Sequence, residues 1–323
     1  MLLDIEPLPQ AAPGVPRDGW GRPLVVPEAG GKPVGHTRTT TFIDCIDDKS
    51  NLNTWDKRCV LIGAATKPSL LEGVLDLDKD DPADKRKLNA IAERAKDLSG
   101  ANDKREKGTQ LHALSELVDR NEPLSEDISE ADLADMASYK IETVDFEVLH
   151  IEELVVVNEL AVAGTPDRIS HYEGPDPFGN PISGDFITDL KTGTVEYGAL
   201  KMAMQLGIYS RGRFYDHTLF PVDVADKKAL KEWKKIVVPA EEAAKAYKPI
   251  PPVNQDWGII MNLPAGSGVC TLWWVDLNIG WALANLALRI RAARSTKKAM
   301  LPFFTSSTCA SVTSTDDQEK GNA

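Results

Sequence analysis

Cysteine is scarce in this sequence, with four residues among 323. Their spacing contains no C-x-x-C pair and no zinc-finger pattern, which excludes the common zinc and thiol redox motifs. Cysteines scattered along a chain can still meet in a fold, but unpaired, reduced thiols are the simpler interpretation. The four positions are Cys45, Cys59, Cys270 and Cys309.

Long apolar runs are also missing. The longest apolar stretches, at residues 154–157 and 279–290, are short or interrupted by polar residues, whereas a helix needs about 20 apolar residues to cross a bilayer. The N-terminal decapeptide MLLDIEPLPQ has neither the basic nor the apolar region of a secretory signal. We therefore expect no membrane span and a cytoplasmic protein.

Basic residues are outnumbered: 37 Lys and Arg stand against 49 Asp and Glu, a formal net charge of −12. Such a chain as a whole repels nucleic acid, so any contact with nucleic acid must be local. With 42% hydrophobic and 27% charged residues, the composition excludes whole-chain disorder, collagen and coiled coil. The sequence has no Walker A motif, so it encodes no ATP-driven helicase of its own.

Composition divides the chain into three parts. Residues 1–35 contain seven prolines and many glycines, a composition that buries too little apolar surface to order itself. Residues 305–323 are polar and follow Pro302. We therefore predict a flexible N-terminal arm over residues 1–35, a single domain over residues 36–300, and a disordered C-terminal tail over residues 301–323.

Apolar residues recur with helical period in five stretches. They are residues 52–62, 84–98, 108–120, 195–212 and 279–295. The first helix is predicted to begin at a cap, Asn51 or Asn53, and to bury Leu52, Trp55, Cys59, Leu61 and Ile62. The third helix is predicted to bury Leu111, Leu114, Leu117 and Val118. The last helix is predicted to bury Ile279, Leu283, Leu286 and Ile290. His112 lies beside the apolar stripe of its helix.

The middle of the chain is rich in Val, Ile and aromatic residues that alternate as in strands. We predict strands over residues 144–149, 154–157, 160–163, 168–172 and 185–191, forming an antiparallel meander, with a loop over residues 173–184. Two more strands follow, in WGIIMNL and VCTLWWVDL. The fold class is therefore mixed α/β, of α+β layout.

Two aspartates and a lysine are candidates for chemistry. Side chains alternate along a strand, so Asp189 and Lys191 point to one face. Asp167 follows Pro166 at the opening of the preceding strand, from which it could meet Asp189. Two neighbouring carboxylates repel unless a cation lies between them, and Mg²⁺ prefers such oxygen ligands. The simpler alternative is a pair of solvated strand-end aspartates and an ordinary lysine.

A polar stripe follows on the next helix, where Lys201, Gln205 and Tyr209 are spaced by four residues. Such a stripe could lie along a phosphate backbone, although a helix with one polar edge is the plainer interpretation.

Four short motifs, taken in order, resemble those of the RecB-type branch of the PD-(D/E)XK nuclease superfamily. They are G-x-x-x-H (Gly108, His112), G-T-P-D (Gly164 to Asp167), D-L-K-T-G (Asp189 to Gly193) and Q-x-x-x-Y (Gln205, Tyr209). Four motifs in this order are far more specific than any one of them. By motif the resemblance covers residues 105–212, and more loosely residues 37–300, where the chain is similar to phage-encoded exonucleases.

This resemblance implies a restriction-endonuclease-like core, in which a central mixed sheet is flanked by helices. It implies a Mg²⁺ site, with Mn²⁺ as a substitute, whose ligands are His112, Asp167, Asp189 and the backbone carbonyl of Leu190. For His112 the alternative is a surface histidine on a helix edge. The family commonly carries a further acid upstream, for which Glu152 is preferred here over Glu153.

The resemblance also assigns catalytic roles. Lys191 would orient the attacking water or stabilise charge that develops on the phosphate. Gln205 and Tyr209 would position the DNA backbone and Lys191. Some relatives bind an iron–sulfur cluster through a tight C-terminal group of cysteines, and because this chain has no such group, we expect no cluster.

DNA binding by an acidic chain calls for local basic residues. One group of candidates, Lys201, Arg211 and Arg213, lies in the helical stretch that carries Gln205 and Tyr209 or just after it. The other group lies at the last helix: Arg289, Arg291, Arg294, Lys297 and Lys298. The second group could equally be a solvated helix end that the helix dipole favours. Trp257, Trp273 and Trp274 could stack on bases, but core packing is the simpler use.

The resemblance implies a metal-dependent deoxyribonuclease that acts on linear duplex or single-stranded ends. It points to an exonuclease of phage DNA recombination or replication, in the cytoplasm of the host cell, with a single-strand annealing recombinase as partner. An endonuclease of the same fold and a catalytically silent DNA-binding or interaction protein are the alternatives. The sequence leaves the oligomeric state open, and a homo-oligomer is one of the alternatives.

Overall fold

The structure is a computed structural model that describes residues 14–296, and these residues form a mixed α/β fold. Its helices are α1 (Thr39–Ile43), α2 (Ser50–Thr66), α3 (Pro82–Leu98), α4 (Asp103–Asp119), α5 (Glu130–Glu142), α6 (Ala199–Tyr209), α7 (Lys227–Trp233), α8 (Ala240–Ala243) and α9 (Leu277–Arg294). Its strands are β1 (Leu24–Val25), β2 (Val34–Gly35), β3 (Thr37–Arg38), β4 (Phe146–Ile151), β5 (Val155–Val157), β6 (Val162–Gly164), β7 (Arg168–Pro175), β8 (Pro181–Lys191), β9 (Arg213–Tyr215), β10 (Tyr247–Pro249), β11 (Trp257–Asn262) and β12 (Thr271–Asp276).

The strands form two five-stranded mixed sheets and a small hairpin, β1–β2. Sheet I has the order β12-β11-β8-β7-β4, with β11 parallel to β8 and the other neighbours antiparallel. Sheet II has the order β10-β9-β5-β6-β3, with β3 parallel to β6. The predicted mixed α/β class is confirmed at this level.

The predicted antiparallel meander is wrong in its connections. β4, β7 and β8 are antiparallel neighbours in sheet I, but β5 and β6, which lie between β4 and β7 in the sequence, belong to sheet II. Alternation of apolar residues predicts that a segment is a strand, but it carries no information about which sheet the strand joins.

The loop predicted over residues 173–184 is mostly strand. β7 extends to Pro175 and β8 begins at Pro181, so only residues 176–180 turn. Asp176 organises this turn, because its Oδ1 accepts hydrogen bonds from the backbone N–H of Phe178 and of Asn180, both at 2.8 Å. The Gly and Pro residues therefore lie at an exposed hairpin end rather than in a long loop.

The N-terminal arm predicted over residues 1–35 differs from the structure in its described part, which begins at residue 14. Leu24, Val25 and Val26 are buried, and Val25 and Val26 pack in one cluster with Tyr215 and Tyr247 of sheet II. The Val26 N–H donates to Tyr215 Oη, and Tyr247 Oη donates to the Val26 carbonyl, each at 2.9 Å. Residues 1–13 and the predicted tail, 301–323, lie outside the described residues.

The predicted helices are present, but two of them bury other faces. α2 buries Cys59 and Gly63, while Leu52, Leu61 and Ile62 are exposed. Neither Asn51 nor Asn53 caps it, because α2 begins earlier, at Ser50. α5, which Ser129 caps by accepting from the Asp132 N–H, was not predicted.

α9 buries a face of mostly small residues rather than the predicted face of Ile279, Leu283, Leu286 and Ile290. Its buried residues are Leu277, Gly280, Ala284 and Ala287. Of the predicted face, Leu283 packs partly buried against the core, whereas Ile279 and Leu286 are nearly half exposed. A Cβ added to Gly280 would lie only 1.9 Å from the Ala203 carbonyl oxygen of α6. Helices that cross this closely need small residues where they touch, so the contact selects the small face.

Sheet I lies between two helical layers. On one face its Leu190 and Met261 pack with Leu111 of α4 and Met136 of α5. On the other face Ile187 and Ile260 pack in a second cluster with α6 and α9, and α6 also contacts Val155, Val157 and Val162 of sheet II. α6 is therefore buried between the two sheets.

Two further predictions were that the cysteines are unpaired and that the chain has no membrane span. Cys45, Cys59 and Cys270 are free cysteines, which confirms that part of the prediction, and Cys309 lies outside the described residues. Within residues 14–296, no helix combines the length and the apolar character that a bilayer crossing requires.

Candidate active site

The two predicted aspartates lie opposite each other at neighbouring strand ends. Arg168, the first residue of β7, pairs with Thr188 of β8 in an antiparallel register. Asp167, one residue before Arg168, is therefore opposite Asp189, one residue after Thr188. The Leu190 N–H donates to Asp167 Oδ2 at 2.8 Å, which ties the two strand ends together.

His112 approaches this pair from α4. Its Nδ1 lies 3.3 Å from Asp167 Oδ2. Gly108, one turn earlier, explains part of the motif, because a Cβ at this position would lie 2.8 Å from Thr192 Oγ1 in the segment after β8. A glycine thus lets α4 come close enough for His112 to reach Asp167.

Lys191 and Gln205 surround Asp189. Lys191 forms an ion pair with Asp189 Oδ2, as expected for side chains two residues apart on one strand face. Gln205 Nε2 donates to Asp189 Oδ1 at 3.1 Å, and Gln205 Oε1 accepts from Lys191 Nζ at 3.5 Å. Gln205 therefore orients both the carboxylate and the ammonium group.

Burial and charge set the protonation of the four groups. Burial and the nearby Asp167 raise the pKa of Asp189 to about 6. Burial also raises the pKa of Asp167, but the hydrogen bond and charge of His112, together with the charges of Lys191 and Arg168, outweigh this effect, so its pKa lies below the usual value. Burial lowers the pKa values of His112 and Lys191, but the two aspartates reverse both shifts, so both pKa values are raised.

Tyr209 is buried, with 3% of its surface exposed. Gly164 of the G-T-P-D motif lies against it, since a Cβ there would come within 2.7 Å of Tyr209 Oη. Burial raises the pKa of Tyr209 far above its usual value. The predicted stripe of Lys201, Gln205 and Tyr209 therefore does not run along the surface: it leads inward, and Tyr209 lies behind Gln205.

The carbonyl of Leu190 is the fourth predicted ligand. Its N–H points towards Asp167, and the N–H and C=O of one strand residue point to the same neighbour, so this carbonyl also faces the Asp167 side. β7 begins only at Arg168, so no ladder partner from β7 lies opposite Leu190.

The donor types fit a hard divalent cation, but in this structure protein groups contact the donor atoms. Two carboxylates, a backbone oxygen and one imidazole are suitable ligands for Mg²⁺ or Mn²⁺. Within residues 14–296, however, no group of three or more His, Cys, Asp or Glu side chains is arranged to hold a metal ion. His112 and Lys191 contact the two aspartates instead, so an ion would have to replace these contacts.

Two further acids lie near the pair, Glu116 and Glu152, and Glu116 was not predicted from the sequence. Glu116 is one turn after His112 on α4, and burial and Glu152 raise its pKa. The N–H of Glu152 donates to the Asp167 carbonyl at 3.1 Å, with a left-handed φ of 49° at Glu152. Glu153 instead pairs with His150 at 2.6 Å. The spacing of four between His112 and Glu116 was the available sequence signal.

A cleft of about 340 Å³ opens beside Lys191 and Gln205. Its lining also includes Asp44 and Lys201, and the Lys201 ammonium pairs with Asp44 at 2.7 Å and with Asp47 at 3.0 Å. Apolar residues, Ile43 and Met202, line it as well, so the cleft presents both polar and apolar surface next to Lys191.

Most of the basic residues predicted for DNA binding have contacts within the protein. Arg211 lies over the Trp281 ring, and Arg213 pairs with Glu28. Arg291 donates to Thr37 Oγ1, and Arg294 to the Cys45 carbonyl. Arg289 is exposed, and Lys297 and Lys298 lie outside the described residues. Of the predicted tryptophans, Trp274 packs against Phe186 and Trp257, while Trp273 is half exposed.

No protein-family model matches the sequence, and no curated protein matches it significantly.

Proposed function

We propose that this protein is a Mg²⁺-dependent deoxyribonuclease with a restriction-endonuclease-like core, of the RecB-type branch of the PD-(D/E)XK superfamily. One observation carries the proposal. Residues from four motifs, spread over a hundred positions of sequence, form one connected set in which His112 contacts Asp167, Lys191 contacts Asp189, and Gln205 contacts both Asp189 and Lys191. Strand-end aspartates without a shared role need no such arrangement.

The chemistry of phosphodiester hydrolysis suits these groups. The oxygen of water forms a bond to phosphorus, the bond from phosphorus to one sugar oxygen breaks, and that oxygen takes up a proton. Lys191, which lines the cleft, can donate hydrogen bonds to the water or to the phosphate oxygens that gain charge. Gln205 keeps the ammonium group in place, and Tyr209 supports Gln205 from behind.

Asp167, Asp189, His112 and the Leu190 carbonyl would hold the metal ion. When bound, a divalent ion supplies a more acidic water and stabilises charge on the phosphate. Its positive charge would also remove the repulsion that raises the pKa of Asp189. Glu152 and Glu116 are the candidates for a further carboxylate.

The finer parts of the proposal rest on the resemblance. They are the exonuclease activity on DNA ends, the role in phage recombination or replication, and the annealing recombinase as partner. A catalytically silent DNA-binding protein is the second candidate, because His112 and Lys191 contact the carboxylate oxygens of the two aspartates. An endonuclease of the same fold would use the same groups.

The decisive experiment compares end-labelled linear duplex with covalently closed circular DNA, in Mg²⁺, in Mn²⁺ and in EDTA. We expect the wild type to degrade the linear substrate alone, in either metal and not in EDTA. Asp189→Asn should abolish this activity, because the substitution removes a metal ligand while it keeps the shape of the side chain.

Asp185→Asn is the matched control. Asp185 lies on the same strand face as Asp189 and pairs with His171 at 2.8 Å, away from the candidate site, so this variant should cleave normally. Cleavage of the circle would indicate an endonuclease. A wild type that binds DNA but stays inert in both metals would replace the nuclease by the silent binding protein.

A further inference from the structure

Arg168 is the largest of the fully buried side chains, with 1% of its surface exposed, and it directly follows Asp167. Its guanidinium forms an ion pair with Asp119 and donates from Nη2 to Ser115 Oγ at 2.6 Å. It also lies over the ring of Tyr139, whose hydroxyl donates to Asp119 at 2.9 Å. Both of its hydrogen-bonding partners, Ser115 and Asp119, belong to α4, the helix that carries His112.

These contacts are part of a closed circuit of interactions through the candidate site, called the ring below, that runs from Arg168 through Ser115 and His112 to Asp167. Ser115 Oγ donates to the backbone carbonyl of His112 at 2.7 Å, so a chain of hydrogen bonds leads from Arg168 to the backbone of His112. The imidazole of His112 then meets Asp167, the sequence neighbour of Arg168. The protein thus joins α4 to the start of β7 twice, once at the guanidinium and once at the imidazole.

Stability alone does not require this arrangement. Removing an arginine and an aspartate from water costs much of what their attraction returns, and apolar pairs of the same size are often as stable. α4 already packs on sheet I through Leu111 and Leu190. Apolar contacts of this kind have little directionality, so they only loosely define the rotation of α4 about its axis and its position along that axis. A hydrogen-bonded guanidinium defines both the rotation and the position.

We propose that Arg168 is a positioning residue that acts through Ser115 and Asp119 to hold α4 where His112 faces Asp167. The proposal rests on the metal-dependent function above. Arg168 does not touch the ion: its effect is on the placement of an imidazole ligand. Outer contacts of this kind typically change metal affinity by 10- to 100-fold when they are removed.

Two variants test the proposal at different points of the ring. Ser115→Ala removes the link to the His112 carbonyl and leaves the Arg168–Asp119 ion pair. Arg168→Lys keeps the positive charge but loses the fork that reaches two partners at once. Mn²⁺ binding to the purified full chain is measured directly, by the paramagnetic resonance signal of free Mn²⁺. We expect the dissociation constant to rise about tenfold in each variant.

Lys107→Met is the matched control. Lys107 also lies on α4 and forms an ion pair with the buried Asp132 of α5, but this pair does not join the ring. The variant should lower the melting temperature and leave the Mn²⁺ dissociation constant unchanged. This comparison separates general loosening of α4 from misplacement of His112.

Unchanged Mn²⁺ affinity in both Ser115→Ala and Arg168→Lys, with a wild type that binds Mn²⁺ and cleaves DNA, would overturn the positioning role and leave the nuclease proposal standing. Weaker Mn²⁺ binding in Lys107→Met to the same degree would show that any loosening of α4 suffices, which also contradicts a specific role of Arg168. A wild type that binds no Mn²⁺ would overturn the proposed function itself.

Discussion

Asp189 shows how burial changes the meaning of a residue. From sequence, Asp167 and Asp189 could have been solvated strand-end side chains, yet Asp189 is only 1% exposed. A buried carboxylate beside another carboxylate is costly unless a cation is near, and Lys191 provides that cation in this structure. Lys191 therefore has two functions to separate: balancing the charge of Asp189 and taking part in the proposed reaction.

Replacement of Lys191 by alanine separates these functions. We expect Lys191→Ala to retain Mn²⁺ binding, because a divalent ion can itself balance the two carboxylates, and to lose about 100- to 1,000-fold in cleavage rate, as when one group that stabilises developing charge is removed. Direct Mn²⁺ binding and single-turnover cleavage are the two measurements.

Lys96→Ala is a suitable control, since Lys96 is also ion-paired, but its partner is Asp56 and the pair joins α3 to α2. It should cleave as the wild type does. If Lys191→Ala instead loses Mn²⁺ binding together with activity, the lysine has a structural role and is not a catalytic residue.

Helix α6 is the element that organises the candidate site. It carries Gln205 towards Asp189 and Lys191, and it packs on sheet I, on sheet II and on α9 at the same time. A helix with contacts on all sides is apolar nearly all round, which explains why Tyr209 is buried although the sequence placed it in a polar stripe. The position of α6 depends on its close contact with α9.

A methyl group at the contact of α6 with α9 tests this dependence. Gly280→Ala places a Cβ against the Ala203 carbonyl, so α9 must shift, and we expect the free energy of unfolding to fall by about 3 kcal/mol. Denaturant unfolding measures the change. Gly184→Ala is the control, because nothing lies within 4 Å of an added Cβ there. Equal stability of the two variants would contradict the close packing of α9 on α6.

At the scale of the whole molecule, residues from the predicted N-terminal arm complete the core of sheet II. Val25 and Val26 are fully buried there, although proline and glycine dominate the surrounding composition. Composition averages over 35 residues, whereas three consecutive apolar residues are enough to form a contact once an apolar surface is available to them. Within the described part of the predicted arm, Val25 and Val26 therefore pack on sheet II.

Two valine substitutions in this segment test whether it packs on sheet II or behaves as a flexible arm. Val25→Ala removes two buried methyl groups and should lower the free energy of unfolding by about 2 kcal/mol. Val34→Ala, in the same hairpin but half exposed, should change it by less than about 0.5 kcal/mol. Thermal and denaturant unfolding give both values. If neither variant is destabilised, the segment is a flexible arm after all.

Local patterns in the sequence are enough to predict helices α2, α3, α4, α6 and α9, strands β4 to β8, β11 and β12, and the mixed α/β class. Motif spacing also picks out His112, Asp167, Asp189, Lys191 and Gln205 as one candidate set. These patterns are short-range: apolar periodicity and motif spacing depend on neighbours in the chain. The separation of strands into two sheets and the buried small face of α9 could not be obtained this way.

Tertiary contacts decide those features, because each depends on which surfaces meet across long separations in sequence. The chain order places β5 and β6 between β4 and β7, yet sheet I pairs β4 directly with β7. The guanidinium of Arg168 is an ordinary basic group in the sequence and becomes the link between α4 and β7 only when Ser115 and Asp119 lie against it. Burial removes water as the competing partner, and the fold alone determines which groups are buried together.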